Sequence, residues 1–254
     1  MQEAYKLLAQ QLGISNNKAK SLIDSGFVSY AGKRILIARA RLSKDAKLTV
    51  NDNVKPSRVY EDDELLVLNK PEGLGSEALE EPGLKLINRL DRDSSGLVLL
   101  AKTQECFAKA LLSFKNQEAK RYYIALCSGI LSEELLIEDA IKTTKGHSAF
   151  SKISKEGLPA ISLVTPLLVS GKKSAVMVQI KTGRTHQIRV HLNAYKHGIL
   201  GDVKYSKIPA SRLFLHAFCY ELFGQRFFAP LPKSFKEGAK RFSFDLNLDL
   251  KALP

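Results

Sequence analysis

The sequence predicts a mixed α+β protein made of a small basic module followed by a larger, more neutral domain. Short apolar runs typical of strands outnumber helical patterns along the 254 residues, and their spacing is irregular. This favours a mixed α+β domain over a doubly wound one. A chain of this length forms one or two domains. The uneven charge along the chain indicates where the two parts separate.

The basic charge is concentrated at the amino end. The chain has 39 Lys+Arg against 26 Asp+Glu, a net charge of +13, and residues 1–50 hold nine basic and three acidic residues. Such a charge favours polyanionic partners, above all nucleic acid. No apolar run is long enough for a membrane span, and the first residues do not form a secretory signal. The three cysteines form no C-x-x-C pair, which argues against a disulfide scaffold. We therefore expect a cytoplasmic protein with no membrane partner.

The first fifty residues predict two helices and a small sheet. Ser15 can cap the second helix, because its hydroxyl can accept a hydrogen bond from an unpaired amide. Gly26 can end that helix. The apolar spacings behind these elements are Leu7, Leu8 and Leu12 for the first helix, Ala19, Leu22 and Ile23 for the second, and Val28 with Tyr30, Ile35 with Ile37, and Leu48 with Val50 for short strands.

This pattern resembles the alpha-L RNA-binding module, which occurs in a small-subunit ribosomal protein, a tRNA synthetase and several RNA-modifying enzymes. The usual opening Arg-Leu-Asp is absent. The resemblance implies that residues 1–52, the amino-terminal module, bind RNA through Lys18, Lys20, Lys33 and Arg34. The matching features are Ser15, Lys18, Ala19, Leu22, Ile23, Gly26, Val28, Gly32, Lys33 and Ala40.

Residues 51–58 predict a linker, because they are polar, contain Pro56 and show no periodicity. The larger domain then spans residues 59–254. Its apolar patterns predict, in order, a hairpin over 59–60 and 65–68, a loop over 72–86, a buried strand over 97–101, a helix over 104–114 with Phe107, Ala108, Leu111 and Leu112 on its apolar side, strands over 122–126 and 176–180, a helix over 185–194, and a strand over 214–222.

The densest polar segment, residues 88–96, lies directly before the buried strand. Four charged groups in five positions cannot be buried unpaired, so a solvated turn is the simplest interpretation. A calcium loop beginning at Asp91 fails, because Lys102 stands where the loop needs a glutamate. An aspartyl-phosphate transferase would place the apolar strand before its Asp-x-Asp, whereas here the strand follows. The remaining interpretation is a lone Asp91 nucleophile framed by Arg89 and Arg92.

A second dense segment covers residues 181–191. Gly183 allows a tight turn and Thr185 can cap the following helix, whose amino end could hold phosphate or carboxylate. A basic surface helix is the alternative interpretation. A zinc site formed by His186 and His191 fails, because five residues is a poor helical spacing and no glutamate supplies the usual base. We therefore expect no metal site.

Together these segments resemble the RluA-type pseudouridine synthases over about residues 59 to 240. The catalytic signature of that family matches Asn88 to Leu97 with Ala101 and Lys102. Two departures stand out, since the family usually has His where Asn88 lies and Lys where Arg121 lies. Further pieces match in order: Asn69-Lys70-Pro71-x-Gly73, Tyr123-x-Ala125 with Gly129, Gly183 to Leu192, Gly201-Asp202 with Tyr205, Leu215-His216-Ala217, and Ala229-Pro230-Leu231-Pro232.

The resemblance implies a mixed, mainly antiparallel sheet and an enzyme that isomerises uridine to pseudouridine in RNA. It assigns Asp91 as the nucleophile, pairs it with Arg189, stacks Tyr123 on the flipped uracil, and places Arg89 in the space the base leaves. No cofactor is expected, because reactant and product are isomers. The residues expected to contact the substrate are Lys70, Asn88, Arg92, Lys102, Arg184 and His186, with Lys70, Lys102 and Arg184 also open to a structural role.

The resemblance also favours large-subunit ribosomal RNA over tRNA as the substrate. We further expect a monomer without an obligate protein partner. Two other classes of protein remain open. A noncatalytic RNA-binding protein could keep the same fold, although the intact Asp91 and Arg189 argue against it. An Asp-dependent phosphotransferase would depend on magnesium.

Overall fold

The computed structural model describes residues 1–24, 26–50, 55–144, 149–247 and 249–253. Over these ranges the chain forms a mixed α+β fold whose main sheet has ten strands, nearly all antiparallel. The predicted fold class is therefore confirmed. Among the helices of these ranges, none has the length and apolar character needed to cross a membrane.

The amino-terminal module folds largely as its apolar spacing predicts. Ser15 Oγ accepts a hydrogen bond from the Lys18 amide at 3.2 Å, and Gly26 has a φ of 83° just beyond the second helix. The predicted strand through Ile35 and Ile37 is wrong, since the strand ends at Arg34 and Ile37 is 67% exposed. The elements are β1 (Gln2–Glu3), α1 (Ala4–Leu12), α2 (Asn16–Asp24), β2 (Val28–Tyr30), β3 (Lys33–Arg34), β4 (Arg41–Leu42) and β5 (Leu48–Val50).

The module lies against the rest of the chain through two glycines. Gly26 and Gly73 both have positive φ, and a Cβ on Gly26 would overlap the Gly73 carbonyl. A Cβ on Gly73 would in turn overlap the guanidinium of Arg34, which donates to the Glu72 carbonyl at 2.7 Å. Only glycine fits both positions. Residues 51–54 of the predicted linker lie outside the described residues, and the next strand begins at Ser57.

The main sheet forms the core of the larger domain. Its strand order is β11-β14-β15-β10-β16-β9-β7-β6, with β17 beside β16 and β8 beside β9. Only β9 and β16 pair in parallel among the described strands. The strands are β6 (Ser57–Glu61), β7 (Leu65–Lys70), β8 (Lys85–Leu86), β9 (Ser95–Ala101), β10 (Lys120–Ser128), β11 (Leu135–Ile137), β14 (Ser162–Ser170), β15 (Lys173–Ile180), β16 (Leu215–Leu222) and β17 (Gln225–Phe228), while β12 (Ile141–Thr144) and β13 (Phe150–Ile153) form a separate hairpin.

The predicted strand over 97–101 is confirmed, and every residue of β9 is buried. The predicted loop over 72–86 is only partly a loop, because it contains a short 3₁₀ helix (Ser76–Leu79) and β8. Ser76 of the 3₁₀ helix holds the 88–96 segment, because its Oγ donates to the Leu90 carbonyl at 3.0 Å and accepts from the Leu90 amide at 2.9 Å. The polar segment runs directly into β9.

Helix α3 (Gln104–Lys115) forms where it is predicted but buries a different face. Thr103 caps it by accepting from the Cys106 amide at 3.1 Å. The buried residues are Cys106, Ala110 and Ser113, whereas Leu111 and Leu112 of the predicted face are about half exposed. Phe107 of the predicted face is partly buried and packs against the main core, as does Phe114. The remaining helices are α4 (Gln187–Ala194) and α5 (Lys233–Lys240).

Candidate active site

A cleft of about 1960 Å³ opens between the 88–96 segment, the start of α4 and one face of β10 and β16. Asp91 lies on the segment that leads into β9, and Arg189 lies in the first turn of α4. The main sheet therefore brings together two polar segments that lie almost a hundred residues apart. The polar lining includes Asp91, Tyr123, Lys181, Arg184, His186 and Arg189.

Lys70, at the end of β7, holds the segment that carries Asp91. Its ammonium is fully buried and donates to the carbonyls of Ser94 at 2.6 Å, Leu74 at 2.8 Å, Pro71 at 3.0 Å and Arg92 at 3.2 Å. Burial lowers the pKa of Lys70 to about 7, against the opposing charges of nearby carboxylates. These contacts favour the structural role that the sequence also leaves open for Lys70, because its donors are occupied inside the protein.

Asn88 fixes the other end of the same segment. Its Nδ2 donates to the Leu97 carbonyl at 3.2 Å and to the Tyr220 hydroxyl at 3.0 Å. Its Oδ1 accepts from the Leu99 amide at 2.8 Å. The side chain thus ties the segment to β9 and β16, and all these bonds are internal to the protein.

Arg189 is held between two carboxylates. Its Nε and Nη2 donate to the two oxygens of Asp202, both at 2.8 Å, and its Nη1 donates to Asp91 Oδ2 at 2.8 Å. Burial lowers the pKa of Arg189, but the hydrogen bonds and charges of Asp202 and Asp91 outweigh it and raise that pKa overall. The two-pronged grip leaves the guanidinium little freedom to rotate. Asp202 therefore sets the direction in which Arg189 meets Asp91.

Asp91 is the more open of the two carboxylates. Its side chain is 23% exposed, against 1% for Asp202. Burial raises the pKa of Asp202, yet the Arg189 hydrogen bond and charge outweigh this and lower it. Asp91 thus combines an adjacent positive charge with access to the cleft, which is the arrangement a carboxylate nucleophile needs.

His186 approaches the second oxygen of Asp91. Its Nε2 lies 3.7 Å from Asp91 Oδ1, and its Nδ1 lies 2.6 Å from the Tyr205 hydroxyl. That hydroxyl already accepts from the Ser151 amide at 3.0 Å, so its proton is available to Nδ1. In the tautomer in which Tyr205 donates to Nδ1, the neutral ring carries its proton on Nε2, which faces the carboxylate. Burial lowers the pKa of His186, which favours the neutral ring.

The turn before α4 is organised by Gln187. Its Oε1 accepts from the Arg184 amide at 3.0 Å and from Thr182 Oγ1 at 2.8 Å, and its Nε2 donates to the Ile161 carbonyl at 2.9 Å. The predicted cap at Thr185 is wrong, since the helix begins at Gln187 after His186 with φ 57°. The Arg184 side chain donates to the Pro159 carbonyl at 2.8 Å and lines the cleft.

Tyr123 forms part of the cleft wall. It is 6% exposed, and its hydroxyl is hydrogen-bonded to the Tyr220 hydroxyl at 2.9 Å. Burial raises the pKa of Tyr123 well above its usual value, so the hydroxyl stays protonated. The Tyr123 ring is thus fixed through its hydroxyl by Tyr220, and Tyr220 is in turn fixed by a hydrogen bond from Asn88.

The remaining predicted basic residues of the larger domain lie in different places. Arg89 lines the cleft, is 71% exposed and pairs with Glu77, while Arg92 also lines the cleft. Lys102 does not line it: its amine pairs with Glu61 at 2.7 Å beyond the far end of β9. The contact between Lys102 and substrate stays a prediction, and the ion pair with Glu61 favours the structural role that the sequence also leaves open.

The amino-terminal module borders the cleft with Asp24, Leu36 and Ile37 rather than with its predicted basic residues. Lys18 and Lys33 are exposed, and Lys20 Nζ lies 4.5 Å from the ring centroid of Tyr5. Arg34 is also exposed, and its guanidinium donates to the Glu72 carbonyl. None of these four side chains lines the cleft.

Four residues of the site were not predicted as such from the sequence, namely Asp202, Tyr205, Gln187 and Tyr220. Asp202, Tyr205 and Gln187 belong to matched motifs, so their positions in these motifs were the available signal. For Tyr220 the sequence offered no signal beyond its place in a predicted strand. Within the described residues, no three carboxylate, His or Cys side chains come together in a way that could hold a metal ion.

Known proteins resemble this chain in both sequence and fold. Residues 72–194 match the family model described as RNA pseudouridylate synthase. An uncharacterized RNA pseudouridine synthase of Helicobacter pylori is 46% identical over 93% of this chain and 100% of its own length. Ribosomal large subunit pseudouridine synthase C of Vibrio cholerae is 33% identical over 63% of this chain and 58% of its own. The solved structure of human RNA Pseudouridylate Synthase Domain Containing 1 covers 74% of this chain and 87% of its own, with a TM-score of 0.60 and 27% identity.

Proposed function

Because this chain belongs to the RNA pseudouridine synthase family, we propose that it isomerises specific uridines in large-subunit ribosomal RNA with Asp91 as the nucleophile. The observation that carries the proposal is the Asp91 carboxylate, open to the cleft and hydrogen-bonded to a guanidinium that Asp202 holds in place. A relative named as a ribosomal large subunit pseudouridine synthase supports the choice of substrate.

The reaction requires a nucleophile but no external reagent. The bond between uracil N1 and ribose C1′ breaks, the base turns, and a bond forms between uracil C5 and C1′, while the proton on C5 is lost and N1 gains one. Asp91 can attack either the ribose carbon or the uracil ring. Both routes need an ionised carboxylate, which the Arg189 charge at 2.8 Å stabilises.

The target base must leave its stack to reach Asp91, which costs a few kcal/mol. We assign the stacking surface for the flipped uracil to Tyr123, which lines the cleft and is held by Tyr220. Arg89 is assigned to the space that the base leaves in the RNA. Its side chain is free to swing into that space, since most of it is exposed and its ion pair with Glu77 lies at the surface.

His186 and Arg184 are assigned to the substrate side of the cleft. The neutral His186 ring directs Nε2 toward Asp91 at 3.7 Å, where it can contact substrate as well as the carboxylate. Arg184 and Arg92 add positive charge to the same lining, which suits the phosphates of RNA. Asn88 supports the site from behind through its bonds to β9 and Tyr220.

The amino-terminal module, residues 1–52, is assigned to RNA binding, with residues 59–254 as the catalytic domain. Two exposed lysines, Lys18 and Lys33, face solvent, and Arg34 joins the module to the loop at Glu72. Asp24, Leu36 and Ile37 border the cleft. RNA that enters the cleft therefore passes the module, where its phosphates meet the basic side chains.

The test is a map of pseudouridines in cells with and without the gene. We expect at least one pseudouridine of large-subunit ribosomal RNA to disappear and to return with the wild-type gene but not with Asp91→Asn. Loss confined to tRNA would show that the substrate assignment is wrong. An unchanged map of all RNAs would contradict the proposed activity in that cell.

A further inference from the structure

Among the residues that the structure describes, Arg121 is a buried cation with no carboxylate partner. It lies on β10 two residues before Tyr123, is 9% exposed and lines the cleft. Within the described part of the chain its one hydrogen bond runs from Nη2 to the Lys181 carbonyl at 3.0 Å. Its Nε is buried and has no hydrogen-bond partner there. The Phe114 ring centroid lies 4.9 Å from the guanidinium carbon.

Such a side chain is incomplete as it stands. A guanidinium carries five N–H donors, and a buried one is normally paired with an anion. The nearby aromatic ring offers weak attraction but no acceptor oxygen. Nε is itself buried, so Nη1 and the second hydrogen of Nη2 are the donors that can meet an anionic ligand in the cleft.

The surroundings keep Arg121 accessible from the cleft. Gly183 lies over it, and a Cβ at Gly183 would come within 2.8 Å of Arg121 Nη1. Gly183 is exposed and lines the same cleft, as do Lys115 and Lys181. The missing side chain at Gly183 thus leaves Nη1 uncovered in a positively charged part of the lining.

We propose that Arg121 binds a backbone phosphate of the RNA strand next to the flipped uridine. This inference rests on the proposed function, because it takes RNA as the substrate. The guanidinium matches two phosphate oxygens through parallel hydrogen bonds, which a single uracil carbonyl cannot use. Its position two residues from Tyr123 anchors the strand beside the ring assigned to stack on the base.

The experiment measures binding of fluorescein-labelled decauridylate by anisotropy across a series of salt concentrations. The full-length variants are Arg121→Gln, Arg121→Lys, Gly183→Ala and the matched control Arg226→Gln, whose arginine pairs with Glu221 outside the cleft. Thermal unfolding of each variant checks the fold. Gly183→Ala leaves Arg121 in place but crowds Nη1, so it tests the site if Arg121→Gln fails to fold.

Arg121→Gln should weaken binding by roughly 10- to 100-fold and make the slope of log Kd against log salt shallower by about 0.7. Gly183→Ala should weaken binding in the same direction, Arg121→Lys should keep the wild-type slope, and Arg226→Gln should keep both values. Wild-type affinity and slope in the folded Arg121→Gln or Gly183→Ala proteins would overturn the proposal. The proposal would also be overturned if Arg121→Gln kept the wild-type slope but converted RNA with a lower kcat. Arg121 would then support Tyr123 and bind no phosphate. The pseudouridine map separately tests the activity itself.

Discussion

Asp202 grips the guanidinium of Arg189 through two hydrogen bonds of 2.8 Å each. The third nitrogen of the same guanidinium donates to Asp91. The Asp202 side chain is 1% exposed and the Asp91 side chain is 23% exposed. Asp91 therefore lines the cleft, whereas the ion pair between Asp202 and Arg189 is buried. The carboxylate that we assign as the nucleophile is therefore positioned by a second, buried carboxylate through Arg189.

Asp202→Asn should lower kcat by on the order of 100-fold, because a small misplacement of a reacting group has this effect. RNA affinity should stay within a few-fold, since Asp202 lies behind the cleft wall. The variant should also lose about 3 kcal/mol of unfolding free energy, because a buried pair is broken. Single-turnover kinetics and denaturant unfolding measure these effects, with the exposed Asp63→Asn as control. A wild-type kcat in Asp202→Asn would refute this positioning role.

Lys70→Met tests whether Lys70 holds the 88–96 segment or touches RNA. The methionine leaves the carbonyls that Lys70 serves without their donor, so we expect a loss of at least about 2 kcal/mol of unfolding free energy. The slope of log Kd against log salt should match the wild type, because the ammonium binds carbonyls of the protein and no phosphate. A shallower slope with an unchanged free energy of unfolding would show that Lys70 contacts RNA, as the sequence predicts.

The sequence predicts the parts of the site that depend on local pattern and motif. The buried strand after Asp91 and the helix that carries Arg189 both form, and the two side chains meet across 98 positions of the chain. Periodicity predicts the strand and the helix, while the family resemblance predicts that Asp91 and Arg189 form an ion pair. Neither periodicity nor spacing alone could have joined these two residues.

The points that the sequence leaves open or predicts wrongly have physical causes. The pattern around Lys70 looks the same for an exposed lysine and for one that turns inward to backbone carbonyls. Thr185 has the right side chain for a cap, but Gln187 reaches back to the Arg184 amide and replaces it. In α3 the small face of Ala110 packs inward instead of the larger Leu111. Each outcome is decided by contacts between distant segments, which a local pattern does not contain.

His216 should make stability depend on pH. Burial lowers its pKa from 6.5 to about 3. Between these values the unfolded chain binds a proton that the folded chain does not, so stability falls as pH is lowered from 6.5 towards 3. The loss from this one proton should approach about 1.4 kcal/mol per pH unit. NMR should show no titration of the His216 ring above about pH 4, and a midpoint near 6.5 would contradict this.

The exposed lysines of the amino-terminal module should contribute to RNA affinity through counterion release. The double variant Lys18→Gln with Lys33→Gln should make the slope of log Kd against log salt shallower by about 0.7 for each phosphate that is no longer neutralised. The control is Lys233→Gln with Lys236→Gln, two exposed lysines of α5. Binding of large-subunit ribosomal RNA fragments measures both slopes. Equal changes in the two double variants would show a general charge effect and no specific role for the module.

The most direct test of the proposed mechanism is single-turnover conversion of large-subunit ribosomal RNA by the wild type and by Asp91→Asn. The asparagine keeps the size of the side chain and removes its charge and nucleophilicity. We expect conversion by the wild type and none by the variant, with RNA affinity within a few-fold because Arg184, His186 and the basic lining remain. Appreciable pseudouridine formation by Asp91→Asn would contradict the assignment of Asp91 as the nucleophile.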